Sequence, residues 1–372
     1  MGRPNHVVMR IAIRVDASTK IGTGHFMRCL TLADVLKQRG ARIRFVSRHM
    51  PEHLRDMLAA GGHEFILLKS SPGEVIPDSL AHAHWLGTSQ HADAQDTVQA
   101  LSDQTWDWLV VDHYSLDGRW ESELRQTAKS ILVIDDLADR VHDCDVLVDQ
   151  NFYKDTDTRY TGLLPHHARQ LLGPRFALLR PEFREARESL RERDGPVRRI
   201  LIFFGGLDTT NETIKAIKSV LALSRPDIEV DVVVGRSNSR LNQISRLCAT
   251  AHNFHFHCQV ANMAELMASA DLAIGGGGAT TWERCYLGLP TIVLVTADNQ
   301  RRMSHDLAET GTIVNLGDAD SVSVEILLDV LSKLIANRER RMELSRRSFR
   351  MMSDARENVA DILIQDTHVS IR

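Results

Sequence analysis

Leu272-Ala273-Ile274-Gly275-Gly276-Gly277-Gly278-Ala279-Thr280-Thr281-Trp282-Glu283 runs from an apolar stretch through four glycines into a helix-forming segment. The apolar run fits a buried strand, and the glycines let the backbone turn and approach a partner closely. The helix that follows offers free N–H groups and the positive end of its dipole. Strand, turn and helix in that order are the repeating unit of an α/β fold. Outward from this stretch, nearly continuous Val, Ile and Leu runs recur at 10–15, 43–46, 65–68, 108–111, 131–134 and 146–148. They return at 200–204, 230–234, 291–295 and 312–314. Continuous rather than alternating runs predict strands buried on both faces of parallel sheets. Helical patterns at 27–39, 211–223, 263–270 and 282–287 fall between them, which predicts right-handed crossovers.

The alternation pauses between about 153 and 199, where Gly173-Pro174, Arg180-Pro181 and a charged run interrupt it. The predicted fold is therefore α/β, with two Rossmann-like parallel-sheet domains facing across a cleft. Residues 1–185 form the first domain, 186–350 the second, and 351–372 a C-terminal helix of open placement. A length of 372 residues suits two domains at roughly 100–200 residues each. The eight residues before Met9 read as a dispensable leader.

A net charge of −4 leaves no basic excess to follow a phosphate backbone, so nucleic acid is not expected as a partner. No apolar run approaches the roughly 18 residues of a membrane span, so no membrane partner is expected either. Cys29, Cys144, Cys248, Cys258 and Cys285 are scattered and odd in number, which reads as reduced thiols in a cytoplasmic protein.

Ligands of open α/β sheets bind beyond the carboxyl ends of strands, so the motifs that follow strands carry the chemistry. Glycines 275–278 suit a diphosphate, because exposed amides and a helix start both favour anions. Glu283 lies in the first turns of that helix. It reads as a ligand for two sugar hydroxyls such as those of ribose, or as a favourable charge at a helix start. In Ile21-Gly22-Thr23-Gly24-His25-Phe26, His25 reads equally as a general base or as a helix-start histidine bonded to backbone. Gly205-Gly206-Leu207-Asp208 is a second glycine turn, where helix capping alone accounts for Asp208. Asn299 and Gln300 offer amides to sugar groups, or form a plain polar loop. Asp135-Asp136 invites a metal, but capping and turn formation are favoured. His255-x-His257-Cys258 lacks the geometry of a zinc site in a strand.

Taken together, these motifs resemble those of the UDP-2,4-diacetamido-2,4,6-trideoxy-β-L-altropyranose hydrolases of pseudaminic acid biosynthesis. The resemblance rests on Arg14-Val15-Asp16-Ala17-Ser18, the 21–30 segment, Asp112-His113-Tyr114, Ile134-Asp135-Asp136-Leu137-Ala138 and Asp149-Gln150-Asn151. It continues through Leu178-Leu179-Arg180-Pro181-Glu182-Phe183, Gly205-Gly206-Leu207-Asp208, the 275–289 segment and Ala297-Asp298-Asn299-Gln300. Leu207 departs from it, since a smaller residue is expected there. More distantly, the layout resembles the two-domain glycosyltransferase fold of the lipid II N-acetylglucosaminyltransferase.

The resemblance implies a UDP-sugar substrate, no cofactor and no metal. It also implies inverting attack of water at the anomeric carbon. His25 is then the base. Gly275, Gly276, Gly277, Gly278, Thr280, Thr281, Gly205 and Gly206 hold UDP with Glu283. Asp16, Gly24 and Tyr114 line the sugar side, and Asn299 and Gln300 contact phosphate or sugar. A glycosyltransferase with the same donor site, and a UDP-sugar binder without turnover, are the rival readings.

Overall fold

β1 (Arg10–Val15) lies wholly in the interior beyond its first residue, as a strand flanked on both sides by parallel neighbours must. The computed structural model describes residues 8–69, 78–353 and 359–369. The segment read as a leader lies almost wholly outside them. The described residues divide into two units. The first takes those within Met1–Asn151, Asp155–Leu178 and Glu357–Arg372, and the second those within Phe152–Lys154 and Leu179–Arg356.

In the first unit β2 (Arg42–Ser47), β3 (Glu64–Leu67), β4 (Trp106–Asp112), β5 (Ala128–Ile134), β6 (Val146–Asp149) and β7 (Arg169–Leu172) join β1. They form one seven-stranded sheet of order β3-β2-β1-β4-β5-β6-β7. Every pairing is parallel. The second unit holds β8 (Arg199–Phe203), β9 (Glu229–Val234), β10 (Phe254–Cys258), β11 (Leu272–Gly276), β12 (Thr291–Val295) and β13 (Val314–Asp318). These form a parallel six-stranded sheet of order β10-β9-β8-β11-β12-β13. Both orders start at the middle, run to one edge and then return to the other side. The switch points therefore lie between β1 and β4, and between β8 and β11, where ligand crevices of such sheets open.

Each sheet carries its own core. Ile11, Ile13, Val15, Val110 and Leu132 pack with the Gly24–Gln38 helix on one face of the first sheet. Ala12, Leu109, Val111, Ile131 and Trp120 fill the other face. Ile200, Ile202, Val230, Val232, Ile274 and Ile292 anchor the second unit.

Three features differ from the sequence reading. The division between units falls at Leu178/Leu179, within the interrupted stretch read from the sequence and a few residues before 185/186. The Pro181–Glu188 helix packs within the second unit: Phe183 is buried, and Arg187 lies 4.3 Å over the Tyr286 ring. The helix Arg338–Met351 starts where Asn337 accepts the Arg340 amide at 2.9 Å, and it ends at the position where the C-terminal helix was expected to begin. After it, the Val359–Val369 helix belongs to the first unit. Its Val359, Ala360, Ile362 and Leu363 join the β1 core, and Trp108 Nε1 donates to Thr367 Oγ1 at 2.9 Å. Finally, β7 went unread: its Arg169-Gln170-Leu171-Leu172 is half polar, as a sheet edge allows. The described cysteines are all free, and all but Cys258 are buried.

Candidate functional site

His25 opens the Gly24–Gln38 helix after the turn that follows β1. That turn is closed by Gly22 N–H donating to Ser18 O at 2.8 Å, with Gly22 at φ +82°, a conformation natural to glycine. Asp112, the last residue of β4, reaches His25 because β1 and β4 are paired neighbours. His25 Nδ1 lies 2.5 Å from Asp112 Oδ1. An ionised carboxylate only accepts, so Nδ1 carries the proton and Nε2 keeps its lone pair. Among the described residues Nε2 has no partner. This is the arrangement by which a carboxylate fixes the tautomer of a histidine base.

Asp112 is fully buried. Burial by itself pushes its carboxyl up, but Arg28 and His25 outweigh that and hold it well below the usual carboxylate range. Arg28 Nε donates to Asp112 Oδ2 at 2.5 Å and Nη2 to Oδ1 at 2.7 Å. Its Nη1 reaches Asp136 Oδ2 at 3.0 Å. Tyr114 donates its hydroxyl to Asp136 and meets the His25 ring edge-on, with centroids 4.5 Å apart. His25, Asp112, Arg28, Asp136 and Tyr114 thus form one connected set at the first switch point. Gly24 stands exposed beside it, with open space where a side chain would be.

Asp16 does not face this space. It is 0% exposed and spends both oxygens internally. Oδ1 accepts from Arg14 Nη1 at 2.6 Å and from the Arg48 amide at 2.7 Å, and Oδ2 lies 3.2 Å from His113 Nε2. It ties the end of β1 to the end of β2. His113 is likewise sealed, and burial pushes its imidazole toward the neutral form. Asp135 and Asp136 are each matched by a cation, Arg140 and Arg28 respectively. Among the described residues, His305, Asp306 and Glu309 are the group whose ligand atoms converge as a metal site requires. Lys154 already engages two of them, pairing with Glu309 and donating its amide to Asp306 at 3.2 Å. His255 and His257, on β10, pair with Glu229 and Asp231 of β9.

In the second unit the glycines leave β11 at the second switch point. A Cβ on Gly275 would sit 2.5 Å from Phe203 O and 2.5 Å from Arg284 Nη1, so only glycine fits there. Gln300 Oε1 accepts from the Gly277 amide at 3.2 Å and from the Thr296 amide at 3.1 Å. Its carbonyl oxygen is therefore spent on holding the loop, a use that the sequence reading of a sugar contact did not foresee. The amides of Gly278, Ala279 and Thr280 find no acceptor among the described residues, and the Thr280–Tyr286 helix has no side-chain cap. Beneath the loop, Arg284 is 2% exposed. Its Nη2 donates to Gly276 O at 2.6 Å and to Thr281 Oγ1 at 3.1 Å. Burial without a carboxylate partner pushes its guanidinium down to about 10.

Glu283 Oε1 accepts from Arg180 Nη2 at 3.0 Å, whereas its Oε2 is buried without a partner. Burial pushes this carboxyl up. Gly205, at φ +88°, and Gly206 turn the chain after β8, next to β11. Gly206 O lies 2.3 Å from the Cβ position of Gly235, which requires glycine there too. Asp208 accepts the Glu212 amide at 2.8 Å and the Thr213 amide at 2.9 Å, a helix cap. Asn299 is exposed in the first turn of the Asp298–Glu309 helix.

The sequence reading missed Asp112 and Arg28 as partners of His25, and Arg284 beneath the loop. Asp112 was marked only as a charged residue ending an apolar run, and Arg28 and Arg284 only as arginines inside helices, and many structural residues share those marks.

Comparison with known proteins agrees with this architecture. Residues 199–363 match the glycosyltransferase family 28 C-terminal domain. An uncharacterized protein of Methanocaldococcus jannaschii is 24% identical over 304 residues, or 80% of this chain, and the match spans 58% of that relative's length. A UDP-2,4-diacetamido-2,4,6-trideoxy-β-L-altropyranose hydrolase of Campylobacter jejuni is 22% identical over 82% of this chain and 97% of its own. Among solved structures, MurG of Acinetobacter baumannii superposes with a TM-score of 0.62 at 15% identity, covering 97% of this chain and 99% of its own. Two parallel-sheet α/β domains of the glycosyltransferase-B type are thus common ground, and the Campylobacter jejuni relative is by name a hydrolase of a UDP-sugar. Among the described residues no helix is long and apolar enough to cross a membrane.

Proposed function

We propose that the chain hydrolyses UDP-2,4-diacetamido-2,4,6-trideoxy-β-L-altropyranose to the free sugar and UDP, a cytoplasmic step of pseudaminic acid biosynthesis. The observation that carries this reading is the His25–Asp112 pair, with the proton on Nδ1 and the lone pair on Nε2. His25 Nε2 takes a proton from water as the water oxygen bonds to the anomeric carbon. The bond from that carbon to the β-phosphate oxygen breaks, and its electron pair leaves with UDP. Asp112 stabilises the imidazolium that forms, and a base of this kind contributes about 10²–10⁴-fold in rate.

UDP is a good leaving group, so holding its charge is the remaining task. The unpaired amides of Gly278, Ala279 and Thr280, with Arg284 beneath them, suit the diphosphate. The free oxygen of Glu283 suits a ribose hydroxyl. Tyr114, Gly24 and Asn299 are assigned to the sugar. Carboxylates already matched by Arg28 and Arg140 make poor metal ligands, which favours attack at carbon over metal-assisted attack at phosphorus.

The match of residues 199–363 favours a second reading, transfer of the sugar to an acceptor other than water. Incubation with a panel of UDP-sugars in ¹⁸O-water separates the alternatives. UDP release without any added acceptor, with the label in the sugar and activity preserved in chelator, is the expected result. Release that requires an alcohol supports the transferase. Label in the nucleotide phosphate refutes attack at carbon.

A further inference from the structure

Of the five tryptophans, Trp106, Trp108, Trp120 and Trp282 are each at most 3% exposed. Trp85 alone is only partly buried. It ends a 3₁₀ turn, Ala83–Trp85, and the next residue, Leu86, is anchored in the core. His82, just before the turn, accepts the Ser115 hydroxyl at 2.6 Å through its carbonyl, which fixes the turn against the segment following β4.

The Trp85 ring stacks on Tyr114 with centroids 5.6 Å apart and planes 26° apart, and lies 4.3 Å from His82. Tyr114 in turn meets His25 edge-on at 4.5 Å. The indole is therefore one ring removed from the base. Its position is held from behind, and among the described residues its N–H donates no hydrogen bond. A large, fixed apolar surface with an unspent donor suits a ligand that pairs a C–H face with oxygen acceptors. A pyranose ring bearing acyl groups has that chemistry.

We propose that Trp85 is a specificity-determining residue of the His25 site. Its indole face receives the C–H face of the sugar ring, and its N–H donates to an acyl or hydroxyl oxygen. This rests on the reading of His25 as the hydrolytic base. The full-length His25→Ala variant, which is not expected to consume substrate, allows a binding test by acrylamide quenching of tryptophan fluorescence. UDP-2,4-diacetamido-2,4,6-trideoxy-β-L-altropyranose should shield the quenchable component and UDP alone should not. A Trp85→Phe change in the same background should remove that component.

In otherwise wild-type protein, Trp85→Ala should raise KM for the sugar nucleotide about tenfold, the scale of a lost aromatic contact, with kcat changed less than about threefold. Inhibition by UDP should be unchanged, and Trp85→Phe should fall between the two. Unmoved KM in Trp85→Ala, or equal shielding by UDP and the sugar nucleotide, overturns the proposal while a dead His25→Ala variant leaves the hydrolytic reading intact. Undiminished turnover in His25→Ala overturns both.

Discussion

The His25 set and the glycine loop hold equivalent places in two sheets of the same strand order, but they are built differently. Around His25, side chains carry the charge and pair it locally, with Arg28 shared between two carboxylates. Asp112 faces Arg28 and His25, Asp136 faces Arg28, and Asp135 faces Arg140. Around the loop, backbone amides find no acceptor among the described residues, and the buried Arg284 rests on neutral oxygens. A paired network orients a group, whereas positive charge without a carboxylate partner, beside free amides, attracts an anion. On the proposed reading, one fold plan yields a proton-handling site and an anion-holding site, according to whether a carboxylate ends the neighbouring strand.

The comparison breaks most visibly at His25. His25→Ala should lower kcat by about 10²–10⁴-fold and leave UDP affinity within a few-fold, because a base acts mainly in the transition state. Asp112→Asn should follow it with a loss of roughly 10²-fold or more, since an amide no longer dictates the Nδ1–H tautomer. Steady-state kinetics paired with UDP calorimetry check both. Near-normal kcat in either variant would assign the pair a structural role.

Glu283→Ala tests the other half. It should weaken UDP binding by about 1.5–3 kcal/mol, the scale of hydrogen bonds to a charged group, with a smaller change in kcat. Unchanged UDP affinity by calorimetry would remove Glu283 from the nucleotide site.

The smallest effect sharpens the contrast through stability. Asp149 is the exception among the first unit's matched carboxylates. Burial and the nearby Asp136 push it up to about 7, although Arg159 lies 3.1 Å away. Its unfolded value is roughly 3.9. Between the two values the folded protein holds a proton that the unfolded chain has released. The stabilising contribution of Asp149 is therefore complete below about pH 4 and is lost as pH rises to about 7. Asp16, Asp112 and Asp135 act in the opposite sense: their contribution is present above about pH 4 and lost on acidification. Asp149→Asn keeps a neutral group in place, so its melting temperature should gain on wild type by a few degrees between pH 5 and pH 8. Parallel melting curves across that range would refute this assignment.

The eleven apolar runs that match observed strands, and the glycine turns behind them, were legible because strand burial and backbone turning leave local marks: continuous Val, Ile and Leu, then Gly. The edge strand β7 was not, because a half-exposed edge tolerates polar residues. Within the sites, His25 and glycines 275–278 announced themselves by type and position after a strand. Their partners did not. Asp112 lies 87 residues from His25 and meets it only because a crossover brings β4 beside β1. Asp16 carries the same local mark as Asp112, yet the Arg14 and Arg48 contacts seal it inside. Gln300 looks like a ligand contact in sequence, but the packing of its helix against β12 directs its amide to Gly277. Parallel strands, glycine turns and a histidine at one of them are written into the chain locally, since each is set by neighbours a few residues away. Which carboxylate orients the histidine, which is sealed and which arginine lies under the loop follow from the fold alone, because parallel sheets join strands that are distant in the chain.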